Sequence, residues 1–460
     1  MPHHRVLSRG TAAPRRTGLV AALLTCVTVG GLAAAGPAAQ AAPTAPPPGR
    51  PGTPTQVPAS ELLSGLVSLF AEHVYLGGQV VDATARGGAS SPLAVQARLA
   101  RRGHVDAQIA LGIDSGVNGA GPKFYRELEA TSDAETRLAV AAGARRTGPA
   151  QLKVLAARVQ QGDEALGKLG ALAVAAPAGS AVKTAAALTK LHIAFSAATV
   201  AAGTATAARA PQQYALTELT AAAGALPAVA YAEGIATKLK LGRIDTKAAV
   251  LRASVTLLLV SHVQQTGLYT ATLLRTGPTS SLTSAAGLAE DVNTRALSLL
   301  FRQAYGASVG KAFLDGWRGH IGGYATYADG LRTGRLTQQA RGLKGLEGYV
   351  GAAAKQLAAL LPNLGITRLT QDLSTHVHGT EQEIREQAGA STGQYATALA
   401  GDKHFADVAG YLSAALVAQQ GSRARSCSRR TCRVCCAASL RAADVARAVR
   451  RACSRGKGRA

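Results

Sequence analysis

Between residues 59 and 420 this chain has no cysteine, and methionine occurs only at Met1. Aromatic residues make up 4% of the sequence, with one tryptophan, Trp317. Each shortage excludes something. Without cysteine the body can hold neither a disulfide framework nor a thiolate cluster. Without methionine it offers no thioether to copper(I) or haem. No Glu-x-x-His occurs, which removes the helical di-iron carboxylate sites. Runs of alternating β-branched residues are missing too, and with them the signature of a β-sandwich or barrel. No phosphate loop or dinucleotide fingerprint stands out. Acidic residues are scarce, 26 against 50 Lys and Arg, for a net charge of +24. That excess is uneven: residues 421–460 carry net +11 and the first 58 residues +5, leaving +8 for the body. A basic balance that sits at the two ends gives no reason to expect a specific nucleic-acid partner.

What remains in the body is alanine, leucine, valine and glycine, a composition of strong helix formers. Apolar residues recur at helix pitch, and the spacing predicts helices over 59–84, 92–113, 122–146, 149–175, 180–207 and 211–239. A second set falls over 246–273, 279–305, 308–333, 335–361, 366–388 and 391–419. Stop signals separate them at Gly87-Gly88, Gly148-Pro149, Pro211, Gly277-Pro278, Gly334 and Pro362. Short breaks between long amphipathic helices force antiparallel neighbours, so the fold class is all-α. Gly306-Ala307-Ser308-Val309-Gly310 fits Gly-x-Ser-x-Gly in letters only, because a helical pattern and no strand precedes it.

The ends have their own character. Arg5, Arg9, Arg15 and Arg16 precede an apolar run from Gly18 to Ala35 and a small-x-small site at Ala39-Gln40-Ala41, the pattern of an export signal over 1–41. Residues 42–58, with seven of the eighteen prolines between Pro43 and Pro58, read as a linker. No later segment is long and apolar enough to span a membrane. The expected address is therefore secreted or cell-envelope associated. Five of the six cysteines fall in 421–460, a basic Cys-rich tail expected to be disordered. Its Cys427-x4-Cys432-x2-Cys435-Cys436 run lacks the second matched pair of a zinc knuckle.

The two helix sets look like one unit written twice, a bundle over 59–240 and another over 246–420. His73 and His262 are 189 residues apart, Gly148 and Gly334 186, and His192 and His376 184. By that offset the place of His320 falls near Ala134 in the first unit.

Histidines recur on the inner faces of these helices: His73, His192, His262, His320 and His376. Around His320, the offsets of Phe313, Trp317, Tyr324 and Tyr327 put all four on its own face, so Trp317 and Tyr324 are expected to wall a pocket beside it. His262 follows Val255, Leu258 and Leu259 on an apolar stripe. Imidazoles from facing helices of a bundle can converge on one ion. His262, His320 and His376 are thus the candidate ligands of a divalent metal, with His378 and Asp372 adding donors nearby. The competing reading of each is a core histidine bonded to a neighbouring carbonyl or hydroxyl. Glu290, Asp291, Asp315 and Asp329 have no nucleophile to pair with and read as caps and solvated faces.

Leu258-His262-Thr266, Tyr305-Gly306, His320 and His376-Thr380, with a closing helix over Ala406 to Gln420, together resemble an uncharacterised all-helical repeat of exported Gram-positive bacterial proteins. The resemblance covers 246–420 well and 59–240 in outline. Some members follow a copper amine oxidase-type N-terminal domain and take their label from it; that domain is absent here. The resemblance implies a fold and an address but no reaction. The function expected is a non-enzymatic binding or interaction module, for an unidentified ligand or envelope component. The alternatives are a metal-binding protein or metal-dependent enzyme using His262, His320 and His376, and a passive spacer.

Overall fold

A computed structural model describes residues 57–116, 119–143, 148–174, 228–229 and 231–427. The export signal, the linker up to residue 56, the helix expected over 180–207, most of that over 211–239, His192 and the tail from 428 onward lie outside the described residues. The described part is helical throughout, and no strand occurs in it.

Helix α1 spans Pro58–Gly87, with proline in its first turn where the missing N–H costs nothing. It ends at Gly88, whose φ of 82° an L side chain resists. Helix α2, Pro92–Ala100, starts at Ser91, whose hydroxyl accepts from the Ala94 N–H. A π-helical turn over Arg101–Asp106 follows, then α3, Ala107–Gly116. The sequence predicts one continuous helix here; the wider turn interrupts it and brings Arg101 and Asp106 inside together. Helices α4, Gly121–Gly143, and α5, Pro149–Val174, complete the described first half, with a further helical segment over 231–238.

The second half runs through α6, Lys247–Thr276; α7, Ser281–Tyr305; α8, Ala307–Thr333; α9, Leu336–Leu360; α10, Ile366–Ala388; and α11, Gln394–Cys427. Glycines at 277, 306 and 334 take positive φ at three of the junctions, as their places in the sequence suggest. Consecutive helices lie antiparallel, as the contacts Leu258–Asn293, Phe301–Phe313 and Gly323–Leu346 show.

Helices that are not consecutive can instead run side by side in one direction. Helices α1 and α6 run parallel, joined by Glu61–Arg252, Ser64–Thr256, Tyr75–Gln265 and Asp82–Arg275 in rising order. Both contain 30 residues and both end at a glycine with nearly the same backbone angles, φ 82° and ψ 163° at Gly88, φ 78° and ψ 167° at Gly277. Both also precede a serine cap, Ser91 and Ser280. Helix α6 walls two cores. Ala249, Ala253, Leu257 and Val260 join the apolar cluster of α1 to α5, whereas Val255, Leu258, Leu259 and Val263 join that of α7 to α11.

Candidate metal centre

His262 lies midway along α6, on the face turned toward α7, α8 and α10. The side chain is fully buried, at 0% exposure. From α8 comes His320, and from α10 His376, at 1% and 5%. One ring nitrogen from each lies within 4.8 Å of the other two, and this is the only such grouping of potential ligands among the described residues. The Nε2 atoms of His262 and His320 are 3.4 Å apart. Two nitrogens bound to one tetrahedral zinc ion at 2.0–2.1 Å would be separated by about 3.3 Å.

In two of the three rings the other nitrogen is occupied from outside the cluster, whereas His320 Nδ1 is buried without a hydrogen-bond partner. His262 Nδ1 is 2.8 Å from Glu290 Oε1, and the Thr266 hydroxyl lies 3.4 Å from the same nitrogen. His376 Nδ1 faces the Thr380 hydroxyl at 3.4 Å. Threonine stands one helical turn after each of these histidines, which explains the His-x-x-x-Thr spacing seen twice in the sequence. With Nδ1 engaged, Nε2 of each ring is left for the centre. His376 Nε2 has one polar neighbour there, the Tyr324 hydroxyl at 3.3 Å.

Aromatic rings close the cluster. Trp317 stands edge-on to His320 with centroids 4.8 Å apart, Tyr349 of α9 stacks on His320 at 4.4 Å, and Phe405 of α11 meets His376 at 4.5 Å. Glycines let α9 approach: a Cβ at Gly342 would meet the α8 backbone at 2.7 Å. Trp317 and Tyr324 are themselves buried, so they pack the histidines in and do not line an open cleft. A cavity of about 470 Å³ lies elsewhere, between Glu233, Thr237, Arg243 and Asp245.

Burial governs the charge states. His320 and His376 are both held well below the usual imidazole range, first by desolvation and then by the other imidazoles. They are therefore neutral, with lone pairs to donate, at physiological pH. Burial pushes the Glu290 carboxyl up, against the pull of His262. Three water-excluded imidazoles aimed at one point suit a first-row divalent ion, and the carboxylate and hydroxyl partners of His262 and His376 are of the kind that metal-bound histidines ordinarily have.

Two expectations need correction. Glu290 was placed among caps and solvated faces; it is 1% exposed and anchors His262. Its helix carries Ala286, Glu290, Asn293, Leu297 and Phe301 on one buried stripe, a pattern readable in the sequence. His378 is exposed and binds the Ser374 carbonyl, while Asp372 accepts from Tyr411, so neither adds to the centre. Asp291, by contrast, does sit in a partly solvated network with Arg295 and Arg318. Tyr349 and Phe405 escaped the sequence reading because they come from helices whose register over the histidines no local pattern sets.

His73 is inward as expected, but its partner is Asp106, 2.6 Å from Nδ1, with Arg101 3.3 Å from the other carboxylate oxygen. No known protein family, curated protein or solved structure matches this chain.

Proposed function

We infer that the chain is an exported helical protein that holds one divalent transition-metal ion between His262, His320 and His376. The observation that carries this reading is the convergence of three buried imidazoles whose nitrogens lie within 4.8 Å of one another. A single core histidine satisfies itself with a neighbouring carbonyl or hydroxyl. Three meeting nose to nose bring their ring nitrogens to one point, where a shared cation would satisfy all of them together.

Zinc fits the spacing and the all-nitrogen donor set; copper(II) is the stronger competitor for imidazole in general. The closed aromatic walls favour retention of the ion over turnover of a substrate, so the reading is of a metal-binding module and not of an enzyme. The Tyr324 hydroxyl is the nearest oxygen for a fourth position.

Two further elements belong to the same reading. The basic, apolar and small-residue segments of 1–41 support export to the envelope or the medium. The common length, end geometry and 189-residue offset of α1 and α6 support two tandem bundles descended from one unit.

The test is metal content. Protein purified without a polyhistidine tag and exposed to equimolar zinc and copper should retain about one ion per chain after desalting, as a closed three-ligand site requires. His320→Ala should retain almost none while keeping its helical circular dichroism. Equal metal in both proteins would sink the reading.

A further inference from the structure

Beside the histidines, α10 and the neighbouring helices α1 and α11 carry a second buried polar layer. Glu72 of α1, Glu383 of α10 and Asp402 of α11 are all buried. Glu383 follows His376 by seven residues, about 10 Å along the helix. Its carboxylate lies against Gly267 of α6, five residues beyond His262, where a Cβ would collide with it. Asp402 precedes by three residues the Phe405 ring that packs on both His262 and His376.

The groups that reach these carboxyls are neutral. Ser68 donates to Glu72 at 2.6 Å, Gln387 to Glu383 at 3.0 Å, and Gln264 to Asp402. No ion pair among the described residues involves any of the three. The surrounding elements supply little charge. Helix α6 contributes glutamines and threonines, and the charged forms of Glu72 and Glu383 would each repel that of Asp402. From α1 comes Tyr75, bonded to Gln265, with Asp82 farther along between Arg86 and Arg275. Helix α10 adds Glu386, whose carboxylate accepts from Thr397, and His376 itself. Asp402 Oδ1 and Gln265 Oε1 are buried without a hydrogen-bond partner.

Desolvation pushes Glu72 up to about 7 and Glu383 up to about 8, and raises Asp402 well above the usual carboxylate range. The layer therefore holds protons near neutral pH. It does not gather closely enough to be a second ion site, since only the histidines converge in that way among the described residues.

Resting on the metal reading above, we propose that this carboxyl layer is the counter-charge of the histidine centre: a divalent ion that enters the three imidazoles drives a proton from Glu72, Glu383 or Asp402 to solvent. The balance is simple. In the ion-bound state the imidazoles bring no charge, Glu290 offsets one of the two positive charges, and a carboxyl O–H in the layer breaks to leave the second negative charge. A net buried charge would otherwise persist at high cost. His320 and His376 release no proton in this step because burial already keeps them neutral, and any contribution of His262 is common to parent and variant.

The experiment is a calorimetric titration of the full chain with zinc chloride at pH 6.5 in buffers of different ionisation enthalpy, which counts protons released per ion. The variant with all three carboxyls neutralised, Glu72→Gln/Glu383→Gln/Asp402→Asn, should still bind one ion and release about one proton fewer than the parent, as linkage requires. Glu290 contributes alike in both, so the difference isolates the layer. In the parent alone the release should shrink at pH 8.5, where Glu383 has begun to ionise. Equal counts for parent and variant, or a count in the parent that does not change with pH, would overturn the proposal. Absence of zinc binding in both proteins would overturn it together with the metal reading, and so marks the other kind of failure.

Discussion

Both halves of this protein bury a histidine on a central 30-residue helix and hold its Nδ1 with a carboxylate from the next helical hairpin. In the first half Asp106 does this for His73, and the buried Arg101 guanidinium supplies the positive charge. In the second half Glu290 does it for His262, and on the proposed reading the positive charge is a metal ion shared with His320 and His376. No histidine stands 186 residues before His320, where buried Ala134 is found. A carboxylate–imidazole pair is thus not enough to mark a metal centre. On that reading, what distinguishes the two is whether the cation is part of the chain.

The largest effect that tests this contrast falls on the first half. Asp106→Ala leaves Arg101 buried without its counter-ion and should destabilise the protein by about 3–5 kcal/mol. Metal content should not change. Thermal unfolding together with elemental analysis checks both statements, and loss of metal in this variant would break the distinction. Glu290→Gln comes next. It keeps the shape but weakens the hold on His262, and zinc affinity should fall about 10- to 100-fold with stability little altered. Competition with a chelator of known affinity measures it.

The smallest effect is a pH slope set by the buried carboxyls, to which Glu383 of the second half contributes. Glu383 has a raised pKa, so its contribution to stability is greatest below pH 4.5 and is lost as pH climbs toward about 8. For His320 and His376 the sign is opposite: their depressed values contribute above pH 6.5, and that contribution is lost as pH falls. Above pH 6.5 the imidazoles are neutral folded or unfolded, and the carboxyl slope stands alone. Through Glu383 alone, metal-free protein should lose on the order of 2 kcal/mol between pH 6.5 and 8.5, and Glu383→Gln should lower the total loss of the parent by that amount. Denaturant midpoints at the two pH values decide it; an unchanged slope in the variant would assign the sensitivity elsewhere.

Much of this architecture was legible before any coordinates. Helix ends followed the punctuation at Gly277-Pro278, Gly334 and Pro362 to within a few residues, because glycine and proline act on the backbone locally. The inward direction of His262, His320 and His376 was legible as well, since each lies on an apolar stripe of its own helix. That three separate stripes would deliver their imidazoles to one point was only a candidate, for convergence depends on the rotation of six helices at once. Glu290 was misread because a carboxylate inside a helical stripe resembles a solvated one until its cross-helix partner is in place. The buried acids Glu72, Glu383 and Asp402 went unnoticed for the same reason. The parallel pairing of α1 with α6 could not be derived from loop lengths, which constrain only consecutive helices.

Helix α6 presents one side to each core. If the chain folds as it emerges, the amino-terminal half cannot close its interior until a segment from the far side of the midpoint has arrived to serve as its missing wall. Once α6 is in place, peeling away either half strips oily surface from a helix the other half also needs. Folding and melting should then be joint events for the two halves, with a single seam holding both shut.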